Sequence, residues 1–317
     1  MTKLFLYKAY SFFLVSILGL VTWTMSMSAA LAVTVKDAQG EFTYQGKAQR
    51  IVVLELSFAD ILARLGLQPV GLADDGAPER FYREVLKQLG NYTSVGRRLQ
   101  PSLEIIAKLK PDLIIADRNR HSAIYQQLNL IAPTLILNSN DNTYSEELEN
   151  AQIIAKVTNT EQVWQKALAA HQELMAQYRK SLKPQNRMAI LVTSRPTAIG
   201  VSSDTSFAGS VITSMGFKTI TKQMANVPTN RFDVTLETLN VWNPDIIFVG
   251  IYQPNTIVDI WRQQHNPLWE RLKAVKSGYA FNVNNDDWVR SRGITAAEHI
   301  AQQIVATVGK ADQQKSK

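Results

Sequence analysis

The fold class this sequence predicts is α/β: two doubly wound lobes joined by one long helix. Three observations predict it. A helix–turn–strand phrase is written twice, as SLEIIAKLKPDLIIAD from Ser102 and as TLETLNVWNPDIIFVG from Thr235, 133 positions apart and without a gap. Short apolar runs alternate with helical stretches on both sides of Thr160. Between the two halves, Thr160 to Leu182 contains neither Gly nor Pro. At 317 residues, with 45% hydrophobic and 19% charged residues, the chain has the apolar content for two ordinary domains and is not a disordered polymer.

Along the chain, the first element is a leader. Lys3 and Lys8 precede an uncharged run that closes on Ala30, Leu31 and Ala32, the pattern of a secretory signal peptide cut before Val33. An uncleaved anchor is the alternative, since 24 uncharged residues are enough to span a bilayer. The polar Thr22, Thr24, Ser26 and Ser28 near the end of the run favour cleavage. The expected division is leader 1–32, N-terminal lobe 33–158, bridging helix 159–184, C-terminal lobe 185–309 and frayed tail 310–317. With no cysteine, the chain has no disulfide framework, no thiolate metal site and no residue to carry a lipid. A free periplasmic protein, without stable membrane insertion after cleavage, is the expectation. The leader holds two lysines and no acid, so its loss lowers the formal charge from +7 to +5. That surplus is too mild, and too scattered, for a nucleic-acid binder.

The first lobe offers IVVLEL, PVGLAD, DLIIAD and PTLILN as strands, and the second MAILVT, DIIFVG and YAFNV. Runs apolar on both faces and spaced by helices predict parallel sheets covered on both sides. In each repeated phrase Ser102 or Thr235 is a helix cap, Glu104 or Glu237 sits in the first turn, and Pro111 or Pro244 ends the helix. A second echo pairs SFADILARLG at Ser57 with SFAGSVITSMG at Ser206, with Gly66 and Gly216 as helix ends. The period is too long for a solenoid, so two similar lobes are the simpler account. In the bridging helix Val163, Ala167, Leu168, His171, Leu174, Met175, Tyr178 and Leu182 form one stripe. About 22 residues at 1.5 Å each make a rod of roughly 33 Å. Two like lobes place the carboxyl ends of both sheets at one crevice, where ligands of open α/β sheets bind.

The segments QRIVVLELSFAD, GLADD, SVGRRLQPSLEIIAKLKPDLIIADRNRH and IAPTLIL, and more thinly TSR, NPLW and DDWVRSRGITAAEHIA, carry a resemblance. The chain resembles the periplasmic iron(III)-dicitrate and iron-siderophore family of ABC-transporter substrate-binding proteins, whose two lobes are bridged by one long helix. The resemblance is weakest from Phe217 to Val234. It implies capture of an anionic iron(III) chelate by a monomer and delivery to an inner-membrane permease dimer. It also implies that Glu104 and Glu237 are the docking acids, one per permease subunit. Read from the residues alone, both are equally well helix-dipole acids.

A ferric citrate-type complex is an oxygen-rich polyanion whose iron is already coordinated. The protein then needs no cofactor and no metal ligand of its own, but groups that grip carboxylates, and arginine does so in pairs. The family pattern singles out Arg98, Arg120, Arg195, Arg290 and Arg292, with Trp288 and Tyr252 as walls. Arg97 is an addition to that pattern, and His121, beside Arg120, is the one histidine placed to add positive charge. Glu55, Ser57 and Asp74 end first-lobe strands and read equally as crevice residues or as caps and arginine partners. Hydroxamate or catecholate siderophores, haem and cobalamin are the alternative ligands. A hydrolytic enzyme, not expected here, is a distant alternative, because no Gly-rich phosphate loop or Gly-x-Ser-x-Gly elbow is present. Asp286 and Asp287 are adjacent, and so are turn formers or orienters of Arg290 rather than an acid/base pair. A scaffold binding only proteins would dock without any ligand-linked stabilisation.

Overall fold

A computed structural model describes residues 32–227, 229–251 and 253–315. The expected leader, apart from Ala32, and Tyr252 lie outside the described residues. The first strands, β1 (Val33–Lys36) and β2 (Glu41–Tyr44), form an antiparallel hairpin. Next come β3 (Ile51–Val53), β4 (Gly71–Leu72), β5 (Thr93–Ser94), the short pair β6 (Gly96–Arg97) and β7 (Gln100–Pro101), then β8 (Leu113–Asp117) and β9 (Thr134–Leu137). Five of them make a sheet of order β5-β4-β3-β8-β9 in which every pairing is parallel. Val53, Leu113, Ile115, Leu135 and Leu137 face one core, with the helices Leu56–Arg64 and Tyr144–Val157. Val52, Ile114, Ala116 and Ile136 face another, with Ile106 and Leu128. Burial on both faces is why these strands read as unbroken apolar runs.

The second half holds β10 (Ala189–Ser194), β11 (Ile199–Ser202), β12 (Arg231–Val234), β13 (Ile246–Ile251) and β14 (Ala280–Asn284), in the order β12-β11-β10-β13-β14. Here the expectation of a parallel sheet needs correcting. β10, β13 and β14 run parallel, but β11 and β12 are antiparallel additions at one edge. A hairpin needs only the short turn after Ser194, whereas a parallel return needs a crossover. As an edge strand β12 is half-exposed, and its sequence RFDV lacks a two-sided apolar pattern.

The repeated phrase folds the same way twice. Ser102 accepts the Ile105 N–H at 3.3 Å and Thr235 that of Thr238 at 3.2 Å, opening the helices Leu103–Lys108 and Leu236–Trp242. Both end on a left-handed residue directly before the proline, Lys110 at φ 46° and Asn243 at φ 45°. The second echo closes on Gly66 (φ 71°) and Gly216 (φ 94°), where a side chain would be strained.

The bridging helix spans Glu161–Lys180, about 30 Å for its 20 residues. Its buried stripe starts at Trp164 and not at Val163, which is exposed. Trp164 enters the N-terminal core, and Met175 and Leu182 enter the C-terminal one. His171, buried between them, bonds the Tyr144 hydroxyl through Nε2 and Glu298 Oε1 through Nδ1 at 2.7 Å. The halves also meet directly. Asp60 accepts the Thr295 N–H at 2.9 Å and its hydroxyl at 2.5 Å, holding the start of the helix Ile294–Ile304, and Arg64 pairs with Glu298. The expected frayed tail is a second correction: Lys310–Lys315 is helical. Asp312 explains it, accepting Arg187 Nη2 at 2.6 Å and the Tyr279 hydroxyl at 2.5 Å.

Candidate functional site

The crevice is built around Glu55. This residue follows β3 and caps the helix Leu56–Arg64, its Oε1 accepting the Leu56 N–H at 2.9 Å. Its carboxylate is fully buried, yet three guanidinium groups reach it. Arg98 Nη1 lies 2.8 Å from Oε1, Arg120 Nη1 lies 2.6 Å from Oε2, and Arg292 Nη2, from the other half of the chain, lies 3.4 Å from Oε1. Burial opposes the charge on Glu55, but Arg292, Arg98 and Arg120 outweigh it and hold the carboxyl below its ordinary range. Arg292 feels the opposite balance. Burial brings its guanidinium down to about 10, so it is still charged at neutral pH.

Arg292 owes its inward aim to the backbone. It stands at φ 48°, an uncommon state for a residue with a side chain, at the end of the wide helical turn Asp286–Ser291. Gly293 follows, and a Cβ there would come within 2.3 Å of Asp60 Oδ2, so the halves touch here backbone to side chain. Arg98 is held by a second acid, Asp75, whose Oδ2 accepts from Nε at 3.0 Å and from Nη2 at 2.7 Å. Arg80 Nη1 reaches the same oxygen at 3.4 Å. Asp75, Arg80, Arg97, Arg98, Leu99 and Arg120 line an open hollow of about 310 Å³.

The C-terminal half supplies a second hollow, of about 370 Å³, lined among others by Arg195, Arg231, Phe232, Asp233 and Val289. Arg195 leaves the end of β10 and pairs with Asp233 of β12. Arg231 crosses to the first half, donating from Nη2 to the Asn140 carbonyl at 3.0 Å and to Asp141 Oδ1 at 3.1 Å. Asn230 donates to the Asp141 carbonyl at 2.9 Å, so one flank of the crevice is tied across. Arg290 is half-buried with Asp286 at 2.7 Å, the orienting role anticipated for that acid.

Of the residues named from the sequence, Arg97, Arg98 and Arg120 share one hollow and Arg195 lies in the other, Arg292 is buried and reaches from the second half to Glu55 of the first, and Arg290 lines neither hollow. Two expectations are corrected. Trp288 is not a crevice wall. It is buried in the C-terminal core, with its ring 4.6 Å from that of Phe248 and its indole N–H donating to Gln303 at 2.9 Å. His121 is not a cationic contact. Its Nδ1 accepts the Asp117 N–H at 2.9 Å, which places the ring proton on Nε2, and Nε2 donates to the Arg98 carbonyl at 2.7 Å. Burial lowers its pKa, and the neutral ring braces the Arg98 loop from behind. Asp74 is likewise structural, accepting Ser94 at 2.5 Å and the Gly76 N–H at 3.0 Å. Ser57 bonds Ser139 at 2.8 Å. Sequence reasoning missed Arg80, Arg231, Asp75, Asp141 and Asp233; GLADD contains one of them, but the two on β12 sit in an edge strand without periodicity.

Two α/β lobes, a rigid connecting helix and a crevice whose floor gathers guanidinium groups from both halves define a two-lobed ligand-binding protein. Comparison narrows the class. The chain belongs to the periplasmic binding protein family, which residues 51–286 match. It is 42% identical over 279 residues to the Fe(3+) dicitrate-binding periplasmic protein FecB of Escherichia coli (strain K12), covering 88% of this chain and 91% of that one. It is 39% identical over 276 residues to the Fe(3+)-citrate-binding protein YfmC of Bacillus subtilis (strain 168), covering 86% and 85%. Among solved structures, Staphylococcus aureus SirA complexed with staphyloferrin B superposes with a TM-score of 0.75 at 24% identity, over 87% of this chain and 98% of that one, a likeness of fold. Among the described residues no helix is long and apolar enough to cross a membrane.

Proposed function

We propose that this protein is the exported receptor of an ABC importer, and that it captures an iron(III)-citrate-type anionic chelate between its lobes for delivery to an inner-membrane permease. The observation that carries this reading is the convergence of Arg98, Arg120 and Arg292, from both halves, on one buried carboxylate, beside two hollows lined by Arg97, Arg98 and Arg120 and by Arg195. Charge-assisted bonds of roughly 1.5 to 3 kcal/mol each support micromolar or tighter binding from three or four such groups, after the cost of association. The iron is cargo, wrapped by its own chelator, and the protein grips the chelator's oxygens. FecB and YfmC, named for ferric citrate, support that choice of ligand.

In this reading the leader is removed before Val33 and the mature monomer works free in the periplasm, with lobes 33–158 and 185–309 on either side of the bridging helix. Glu104 and Glu237, both exposed on the first turns of the repeat helices, are the acids that dock into a two-fold permease. Glu237 takes bonds from its own backbone N–H and from the Thr235 hydroxyl, which hold its pKa below the ordinary range and keep it charged. Thermal melting with ferric citrate, ferric hydroxamate, ferric catecholate, cobalamin and haem tests the assignment. At a hundred times Kd a ligand stabilises the native state by about 2.7 kcal/mol, so ferric citrate is expected to raise Tm by several degrees. No shift with any of the five overturns the receptor reading; a shift with cobalamin alone overturns the arginine argument.

A further inference from the structure

The arginines of the crevice divide by what their counter-ions can do. On the floor, Glu55 is fully buried and shared by three guanidinium groups, so it cannot swing away without stranding them. At the rim the situation is reversed. Asp233 is 65% exposed on edge strand β12, and the charged partner of its carboxylate is Arg195, itself 43% exposed. The pair lies over Gly200, the cross-strand neighbour of Asp233, where an added Cβ would stand 3.6 Å from Asp233 Oδ1 and 4.0 Å from Arg195 Nη2, in ordinary contact with both. Both side chains line the C-terminal hollow.

We propose that Asp233 is a resident competitor for Arg195: it occupies this guanidinium in the empty crevice, yields it to an oxygen of the anionic ligand, and takes it back when the ligand leaves. The inference rests on the reading of the crevice as an anion receptor and adds to it a residue that sets affinity and release. Exchanging one carboxylate for another on the same guanidinium changes little in direct bonding, so binding is not blocked. It is weakened, because the displaced Asp233 stays beside a polyanion and because its own pairing is given up. An exposed ion pair amounts to a factor of at most about five, and the residual repulsion adds a similar or smaller factor. Among the described residues the Asp233 side chain makes no other hydrogen bond or ion pair, so neutralising it leaves the fold intact.

The test uses the full mature chain and ferric citrate as the probe, with Kd read from tryptophan fluorescence and dissociation from stopped flow. Asp233→Asn is expected to tighten binding about three- to tenfold, mainly through slower dissociation, with Tm unchanged. Asp233→Glu, which keeps the competitor, stays near wild type. In an Arg195→Ala background Asp233→Asn brings a smaller gain, the part that comes from repulsion alone. If wild type binds and Asp233→Asn binds equally or less tightly, or if the gain survives undiminished without Arg195, the competitor is refuted while the receptor stands. If neither wild type nor Asp233→Asn binds ferric citrate, the receptor reading falls and this inference falls with it.

Discussion

Glu55→Gln removes one negative charge and almost no volume, and it tests the floor of the crevice directly. In the native protein the carboxylate is enclosed by Arg98, Arg120 and Arg292 at 2.8, 2.6 and 3.4 Å. Taking away one member of a buried ionic cluster costs about 3 to 5 kcal/mol, since the remaining charges are left desolvated. Arg98 retains Asp75, and Arg120 retains Asp117 Oδ1 at 3.5 Å, whereas Arg292 has no second acid among its described contacts. The lower part of that range is therefore expected, about 3 kcal/mol. For a chain of this size about 1 kcal/mol moves Tm by roughly 2 °C, so the midpoint should fall by about 6 °C. The assay is differential scanning calorimetry without ligand and then with ferric citrate. The anion should restore more of the loss in the variant than it adds to wild type, because ligand oxygens take over the vacated guanidinium groups. A drop below about 2 °C, or equal shifts with ligand in both proteins, would refute the claim that this carboxylate organises the site.

Three further predictions follow from the same structure. Burial raises the Glu147 pKa to about 8 from 4.5, outweighing the bonds its Oε2 accepts from Asn150 at 3.0 Å and Asn142 at 3.4 Å. The folded protein thus holds a proton that the unfolded chain loses near the ordinary value, so stability should decline as pH rises from about 4.5 to about 8 and level off above, by a few kcal/mol at most. Urea melts of Glu147→Gln across that range should show the decline removed. Gly293→Ala places a Cβ 2.3 Å from Asp60 Oδ2 and should lower stability by about 1 to 3 kcal/mol, with Asp60→Gly partly reversing the loss in a double-mutant cycle. Charge reversal of Glu104 and Glu237 together should leave ferric citrate binding unchanged and cut uptake in reconstituted vesicles at least tenfold; uptake at the wild-type rate would make them ordinary helix-dipole acids.

The legible parts of this fold were those set by local chemistry. Ser102, Thr235, Pro111 and Pro244 mark their helices because caps and prolines act within one turn, and Gly66 and Gly216 mark theirs because few residues tolerate a left-handed backbone. Strands buried on both faces announce themselves as apolar runs. β11 and β12 do not: β11 is a short strand interrupted by Gly200, β12 is a half-exposed edge strand, and IGVS and RFDV carry no clear period. The crevice was half legible. Arginines following strands point to it, but whether Arg292 turns inward depends on its φ, and whether Trp288 faces ligand or core depends on Phe248 and Gln303, far away in sequence. His121 misled for a related reason: proximity to Arg120 suggested charge, and only the backbone groups at both ring nitrogens show that it is neutral.

The helix Glu161–Lys180 is anchored by Trp164 at one end and Met175 at the other, with His171 clasped midway. A spar pinned at three points resists bending, so the two lobes are expected to keep nearly the same spacing with and without ligand. If the proposed receptor role holds, an importer would have little outline by which to refuse a vacant copy, and cargo throughput would then depend on the ratio of empty to laden protein as much as on how tightly either docks.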